Sequence, residues 1–181
     1  MDLYVGIDTG KNGAIVALNK KKKLIYKYTI PKIKNVVDLR KLNGYFKEFS
    51  KHNSFISIEN VHAIFGTSAK STFSFGQIFG MLEGITIAHN FRYSLINPKD
   101  WQKEMFKGIR EIRKPSTTNK NGKIIKGGMD NKAMAEIAYK RLFPGIDLYI
   151  TEKGNKSKNV HDGLVDALLI SEWSRRLGLW E

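Results

Sequence analysis

Leu3-Tyr4-Val5-Gly6-Ile7-Asp8-Thr9-Gly10-Lys11-Asn12-Gly13-Ala14-Ile15-Val16-Ala17-Leu18 is the stretch from which the fold is read. Residues 3–7 are apolar enough for a buried strand that stops at Asp8. The run from Thr9 to Gly13 holds two glycines and an asparagine, which turn the chain back, and 14–18 then reads as a second strand. The lysines at 20–23 read as a solvated hairpin turn, and a third strand runs over 24–30 until Pro31 ends it. Strands joined by such short turns form an antiparallel meander.

Outward from there the pattern changes to alternating helices and strands. Residues 36–49 carry apolar side chains at 36, 39, 42, 46 and 49, close to helical spacing. A fourth strand covers 55–58, with Glu59 at its end. A long helix spans 68–88. Phe75, Ile78, Phe79, Leu82 and Ile85 form its apolar face, and Gly76, Gly80 and Gly84 leave a bare stripe that would take a partner helix or its own sheet. A fifth strand at 93–96 is followed by a short helix at 98–106, with Pro98 in its first turn. Residues 107–128 read as a basic loop or small hairpin, in which seven basic residues oppose only Glu111. A helix at 129–143, a second basic stretch at 153–158 and a last helix at 160–177 complete the chain. Strands linked through helices pair in parallel. The expectation is a single α/β domain over 1–181: a mixed five-stranded sheet with helices on both faces and a basic insertion at about 107–128.

Composition narrows the function classes. The 181 residues are 41% hydrophobic and include no cysteine, which excludes a disulfide framework, a zinc–thiolate site and a cysteine nucleophile. No apolar run reaches membrane-span length and no signal peptide opens the chain, so the expected setting is cytoplasmic, without a membrane partner. Thirty-one Lys and Arg against 17 Asp and Glu give a net charge of +14. Such an excess suits a polyanion, because each cation set on a phosphate releases a counterion. Lysine enrichment from an AT-rich genome is the bland alternative.

Four acids stand where chemistry could use them. Asp8 and Glu59 each end a strand. Asp162 and Asp166 are four apart, hence on one face of the last helix, and that face continues through the apolar Leu169 and Trp173. Carboxylates gathered near a core need cations between them, and hard oxygen ligands suit Mg²⁺ or Mn²⁺. Two such ions together activate water and stabilise the leaving oxygen of a phosphodiester. Taken singly, each acid has a plainer reading: Asp8 as a turn former, Glu59 as a solvated strand end, Asp162 as a helix cap.

The segments that carry these acids resemble the RuvC family of Holliday-junction resolvases. They are Gly6-Ile7-Asp8-Thr9-Gly10 with Gly13, Ile58-Glu59-Asn60-Val61, and His161-Asp162-Gly163-Leu164-Val165-Asp166-Ala167-Leu168-Leu169, in the family's order and at its separations. Ser74-Phe75-Gly76-Gln77-Ile78-Phe79-Gly80 is similar to the glycine-containing helix after the family's glutamate, and Pro98-Lys99-Asp100-Trp101-Gln102-Lys103 to the segment after its fifth strand. The spacing of four between the last two acids resembles the mitochondrial and some viral branches, since bacterial members usually have three. The resemblance implies an RNase H-like fold, an endonuclease that resolves four-way junctions in a bacterial or virus-infected cell, and a homodimer with two sites. It implies two Mg²⁺ ions per site (Mn²⁺ substituting) held by Asp8, Glu59, Asp162 and Asp166, with His161 as an auxiliary. His62 and Phe65 stand nearest to the aromatic that wedges into junctions in bacterial members. The expected DNA contacts are Lys107, Arg110, Arg113, Lys114, Lys120, Lys123, Lys126, Lys156 and Lys158.

Other classes stay in view. An RNase H-type enzyme on RNA–DNA hybrids or on branched and flap DNA would use the same acids. A non-catalytic nucleic-acid-binding protein would explain the charge but not the acids. Actin-like ATPases share the Asp-x-Gly opening, but their two domains do not fit in 181 residues.

Overall fold

A computed structural model describes residues 1–10, 12–60, 68–118, 122–152 and 155–178. Strands β1 (Asp2–Asp8), β2 (Ala14–Asn19) and β3 (Leu24–Thr29) form the meander. A two-residue hairpin, β4 (Lys32–Ile33) and β5 (Val36–Val37), leads into α1 (Leu39–Phe49). Then come β6 (Asn53–Glu59), α2 (Ala69–Ala88), β7 (Arg92–Ile96) and α3 (Pro98–Met105). A second hairpin, β8 (Thr117–Thr118) with β9 (Ile124–Ile125), precedes α4 (Asn131–Leu142). A third, β10 (Thr151–Glu152) with β11 (Asn155–Lys156), precedes α5 (Asp162–Arg176). The main sheet has the order β3-β2-β1-β6-β7, antiparallel on the meander side and parallel across β1, β6 and β7, as the short turns and the helical crossovers require.

The period-2 alternation divides the core into two layers. Leu3, Val5, Ile7, Ile15, Ala17, Ile56 and Ile58 pack on one face against Leu42, Phe46 and Phe49 of α1 and Leu82 of α2. Ala14, Val16 and Leu18 point the other way, against α3, α4 and α5. Helix α5 crosses β1 on bare backbone, because a Cβ at Gly6 would stand 2.2 Å from the Ala167 carbonyl oxygen. Ser171 Oγ donates to the Tyr4 carbonyl at 2.6 Å, and the Ser57 and Ser174 hydroxyls meet at 2.5 Å, fixing α5 over β1 and β6. Any residue of β1 or β6 with the parity of Gly6 and Ser57 therefore faces α5, and Asp8 and Glu59 have that parity.

Two departures from the sequence reading bear on the packing. The helix expected over 36–49 begins at Leu39, because Val36 and Val37 pair with Lys32 and Ile33 and Asp38 caps the helix, its carboxylate accepting from the Lys41 amide at 3.0 Å. The lysines at 20–23 are not all solvated: Lys22 Nζ donates to the Leu142 carbonyl at 2.6 Å and lies 4.4 Å from the Phe143 ring centroid, tying the segment after α4 to the edge of the sheet. The 107–128 segment forms the β8–β9 hairpin, its base pinched where Gly127 passes Lys114 too closely for any Cβ. No helix among the described residues is long and apolar enough to cross a membrane.

Candidate active site

The four acids lie at one end of the sheet, close enough for their charges to act on one another. Asp8 ends β1 and is 8% exposed; its Oδ1 accepts from the Gly10 amide at 2.8 Å, which holds the turn against the carboxylate. Glu59 ends the adjacent parallel strand and is also 8% exposed, with Oε1 accepting from Trp101 Nε1 of α3 at 2.9 Å. Thr9 Oγ1 donates to the Glu59 carbonyl at 3.1 Å and ties the two strand ends together. Asp166, partly buried, and Asp162, exposed, come from one face of α5.

Electrostatics record the convergence. Burial pushes Asp8 up to about 6, with the charge of Asp162 adding to it. Burial likewise pushes Glu59 up to about 7, helped by Asp8 and opposed by the Trp101 hydrogen bond. Asp166 rises well above the usual carboxylate range through burial and then the charges of Asp8, Glu59 and Asp162. Groups that raise one another in this way share one low-dielectric site.

Four residues of this site have no role assigned from the sequence, although Thr9, Trp101 and Gly163 stand in its motifs. Lys132, in the first turn of α4, reaches Asp162 Oδ2 at 2.5 Å, and its charge lowers the proton affinity of Asp8 and Asp166. A cation in a helix first turn opposes the macrodipole, and that was the available signal. Trp101 and Thr9 gave only the general sign that buried polar groups need partners. The fourth is Gly163. A Cβ there would lie 2.2 Å from the Asn12 carbonyl oxygen and 2.8 Å from Asp8 Oδ2.

His161 is the N-cap of α5, its Nδ1 accepting from the Leu164 amide at 3.2 Å, so Asp162 is the first helical residue and not the cap. Burial lowers the basicity of His161. No three His, Asp or Glu side chains among the described residues stand in ligating arrangement around one point. The geometry explains this: Asp162 is drawn toward Lys132 and Glu59 toward Trp101. The donor set itself, all carboxylate oxygens, has the chemistry of a site for a hard divalent cation.

The basic residues fall into two groups. Lys114 and Lys126 line a groove of about 760 Å³ whose floor includes Lys132 and Asp162. Arg110, Lys123 and Lys158 are exposed; Lys107 pairs with Glu104 at 2.5 Å and Arg113 with Glu111 at 2.6 Å. His62, Phe65 and Lys120 lie outside the described residues, as does the side chain of Lys156. Gly76, Gly80 and Gly84 do not pack on the sheet: a Cβ on any of them would meet nothing within 4 Å.

The sequence matches no protein-family model and no curated protein. Solved structures do match. RuvC of T. thermophilus in complex with a Holliday-junction substrate aligns at 10% identity and TM-score 0.55, over 98% of this chain and 97% of that one. Another structure of Thermus thermophilus RuvC aligns at 14% identity and TM-score 0.54, over 97% and 96%. With its mixed five-stranded sheet and five helices, the chain has the RNase H-like fold of RuvC.

Proposed function

We propose that this chain is a divalent-metal-dependent endonuclease that cuts four-way DNA junctions by paired phosphodiester hydrolysis. The observation that carries the reading is the gathering of Asp8, Glu59, Asp162 and Asp166 at one end of the sheet in a protein of net charge +14. These carboxylates would hold Mg²⁺ or Mn²⁺, two ions per site. Such ions supply an activated water and stabilise the leaving oxygen.

The chain's own residues do the positioning. The Gly10 amide and Trp101 Nε1 fix one oxygen each of Asp8 and Glu59, so neither carboxylate swings freely. Lys132 pairs with Asp162, and its charge favours the ionised state of Asp8 and Asp166 in which they attract a cation. Lys114 and Lys126 line the groove that reaches Asp162 and would carry the phosphates of the scissile strand. Symmetric nicking needs two sites, which a C₂ homodimer provides, and the open glycine side of α2 suits a partner helix.

The test is a denaturing gel of a mobile four-way junction, with a linear duplex and an RNA–DNA hybrid beside it, in Mg²⁺ and in EDTA. Paired symmetric nicks on the junction, in Mg²⁺ only, are expected. Asp162→Asn should abolish nicking and leave junction affinity equal or higher, because a negative charge near phosphate is removed and Lys132 is released. Cleavage of the hybrid alone, or wild-type cutting by Asp162→Asn, would overturn the reading.

A further inference from the structure

The β4–β5 hairpin plays no part in the site just described, yet it is rooted in it. The Ile30 amide, one residue past β3, donates to the Gly13 carbonyl at 3.0 Å, and a Cβ on Gly13 would stand 2.3 Å from the Asp8 carbonyl oxygen. The Asp38 amide donates to the Pro31 carbonyl at 2.8 Å and closes the hairpin base.

The tip is short and stiff. Lys34 and Asn35 sit at φ 49° and 67°, and two central residues at positive φ make the tight turn that matches strand twist. Ile33 and Val36 face each other across it and are 61% and 66% exposed, a β-branched apolar pair thrust into solvent. Two side chains are too few for a stable protein interface, which needs roughly 800 Å² from each partner. They are the size of a wedge between two bases.

Behind the hairpin lies a groove of about 550 Å³, lined by Lys32, Asn35, Lys70, Ser71, Ser74, Phe75 and Ile78. Two ammonium groups, an amide and two hydroxyls suit phosphate and sugar oxygens, and no acid is among the described lining residues. Lys70 stands in the first turn of α2, where the helix dipole adds to the attraction for an anion. Lys114 and Lys126 line the other groove, which reaches Asp162.

Resting on the DNA-cleaving reading above, we propose that the β4–β5 hairpin and this groove are a second DNA site. The groove receives the backbone on the side of the acids away from Lys114 and Lys126, and Ile33 and Val36 insert between bases at the branch point.

The test uses the full chain and a four-way junction carrying 2-aminopurine beside the branch, in EDTA, where binding proceeds without cutting. Wild type should raise the fluorescence as bases unstack. I33S/V36S should lose more than half of that rise and cut the junction at least tenfold more slowly in Mg²⁺, with linear-duplex affinity within twofold of wild type. Both side chains are exposed, so its melting temperature should match wild type. K32A/K70A should lower the slope of log affinity against log salt by about two, one per phosphate contact. Wild-type unstacking and cutting by I33S/V36S would overturn the inference, including where the hairpin serves a protein partner instead. Failure of wild type to cut any junction, with Asp8→Asn behaving identically, would instead overturn the nuclease reading.

Discussion

Gly163 on α5 abuts Asp8 on β1: a Cβ at Gly163 would stand 2.8 Å from Asp8 Oδ2 and 2.2 Å from the Asn12 carbonyl oxygen. The second contact is with backbone, which cannot swing aside as a side chain can. Gly163→Ala should therefore push the turn after β1 and the Asp8 carboxylate out of place together. We expect nicking to fall at least a hundredfold and stability to drop by about 1–3 kcal/mol, the usual toll of overpacking. Gly44→Ala, in the interior of α1, is the matched control. Its Cβ meets nothing, so removing a glycine from a helix interior should stabilise by about 0.5–1 kcal/mol. Urea melts of the two variants, which should shift in opposite directions, check the pair.

The raised carboxylates make the metal-free protein sensitive to pH. Asp8 holds its proton up to about 6 and Glu59 to about 7, whereas both would lose it near 4 in the unfolded chain. Between those limits the folded state binds more protons, so stability falls as pH rises and levels off once both acids are ionised. The loss should total on the order of a few kcal/mol. Thermal melts in EDTA at about pH 5 and about pH 8 should show the higher midpoint at the lower pH. Asp166→Asn, which removes a carboxylate that burial and three neighbouring acids destabilise, should raise the pH 8 midpoint. Saturating Mg²⁺ should flatten the dependence in wild type by binding the ionised site.

Lys132 is expected to act on the acids and hardly on the fold. Its pair with Asp162 is well exposed at both ends, 73% and 53%, which limits its contribution to stability to about 0–1 kcal/mol. Lys132→Gln removes a charge that favours ionised Asp8 and Asp166, so the rising limb of the pH–rate profile should move to higher pH. Lys132→Arg should restore most of it. An unmoved limb with an unchanged melt would make Lys132 a bystander.

Glu172 tests the converse, a buried acid with a structural role. It is 1% exposed and accepts from Arg175 Nε at 2.7 Å and Arg176 Nε at 2.9 Å. Those guanidinium groups hold its carboxyl below the usual range despite burial. Glu172→Gln leaves them with a neutral acceptor and should cost about 1–3 kcal/mol. Junction cutting at a permissive temperature should stay at the wild-type rate. Because the folded-state proton affinity is lowered, this stabilisation is present above the ordinary carboxylate range and disappears as pH falls through it. A denaturant series across pH would trace that loss.

The sequence by itself determined the sheet. Short turns after β1 and β2 allow only antiparallel pairing, and the helical crossovers that precede β6 and β7 require parallel pairing. It also placed Asp8 and Glu59 at strand ends and Asp162 with Asp166 on one helix face, because those facts follow from periods of 2 and 3.6. Tertiary structure alone decided how these elements meet. Lys132 reaches Asp162 across 30 residues and Trp101 reaches Glu59 across 42, separations over which no local periodicity carries information. The β4–β5 hairpin was hidden because its strands are two residues long and Val36 fits the helical spacing of α1 equally well. Gly163 stands in the motif around Asp162, but only the fold brings the Asn12 carbonyl against it. Spacing along a chain fixes direction and face, whereas distance between faces is set only when the whole core packs.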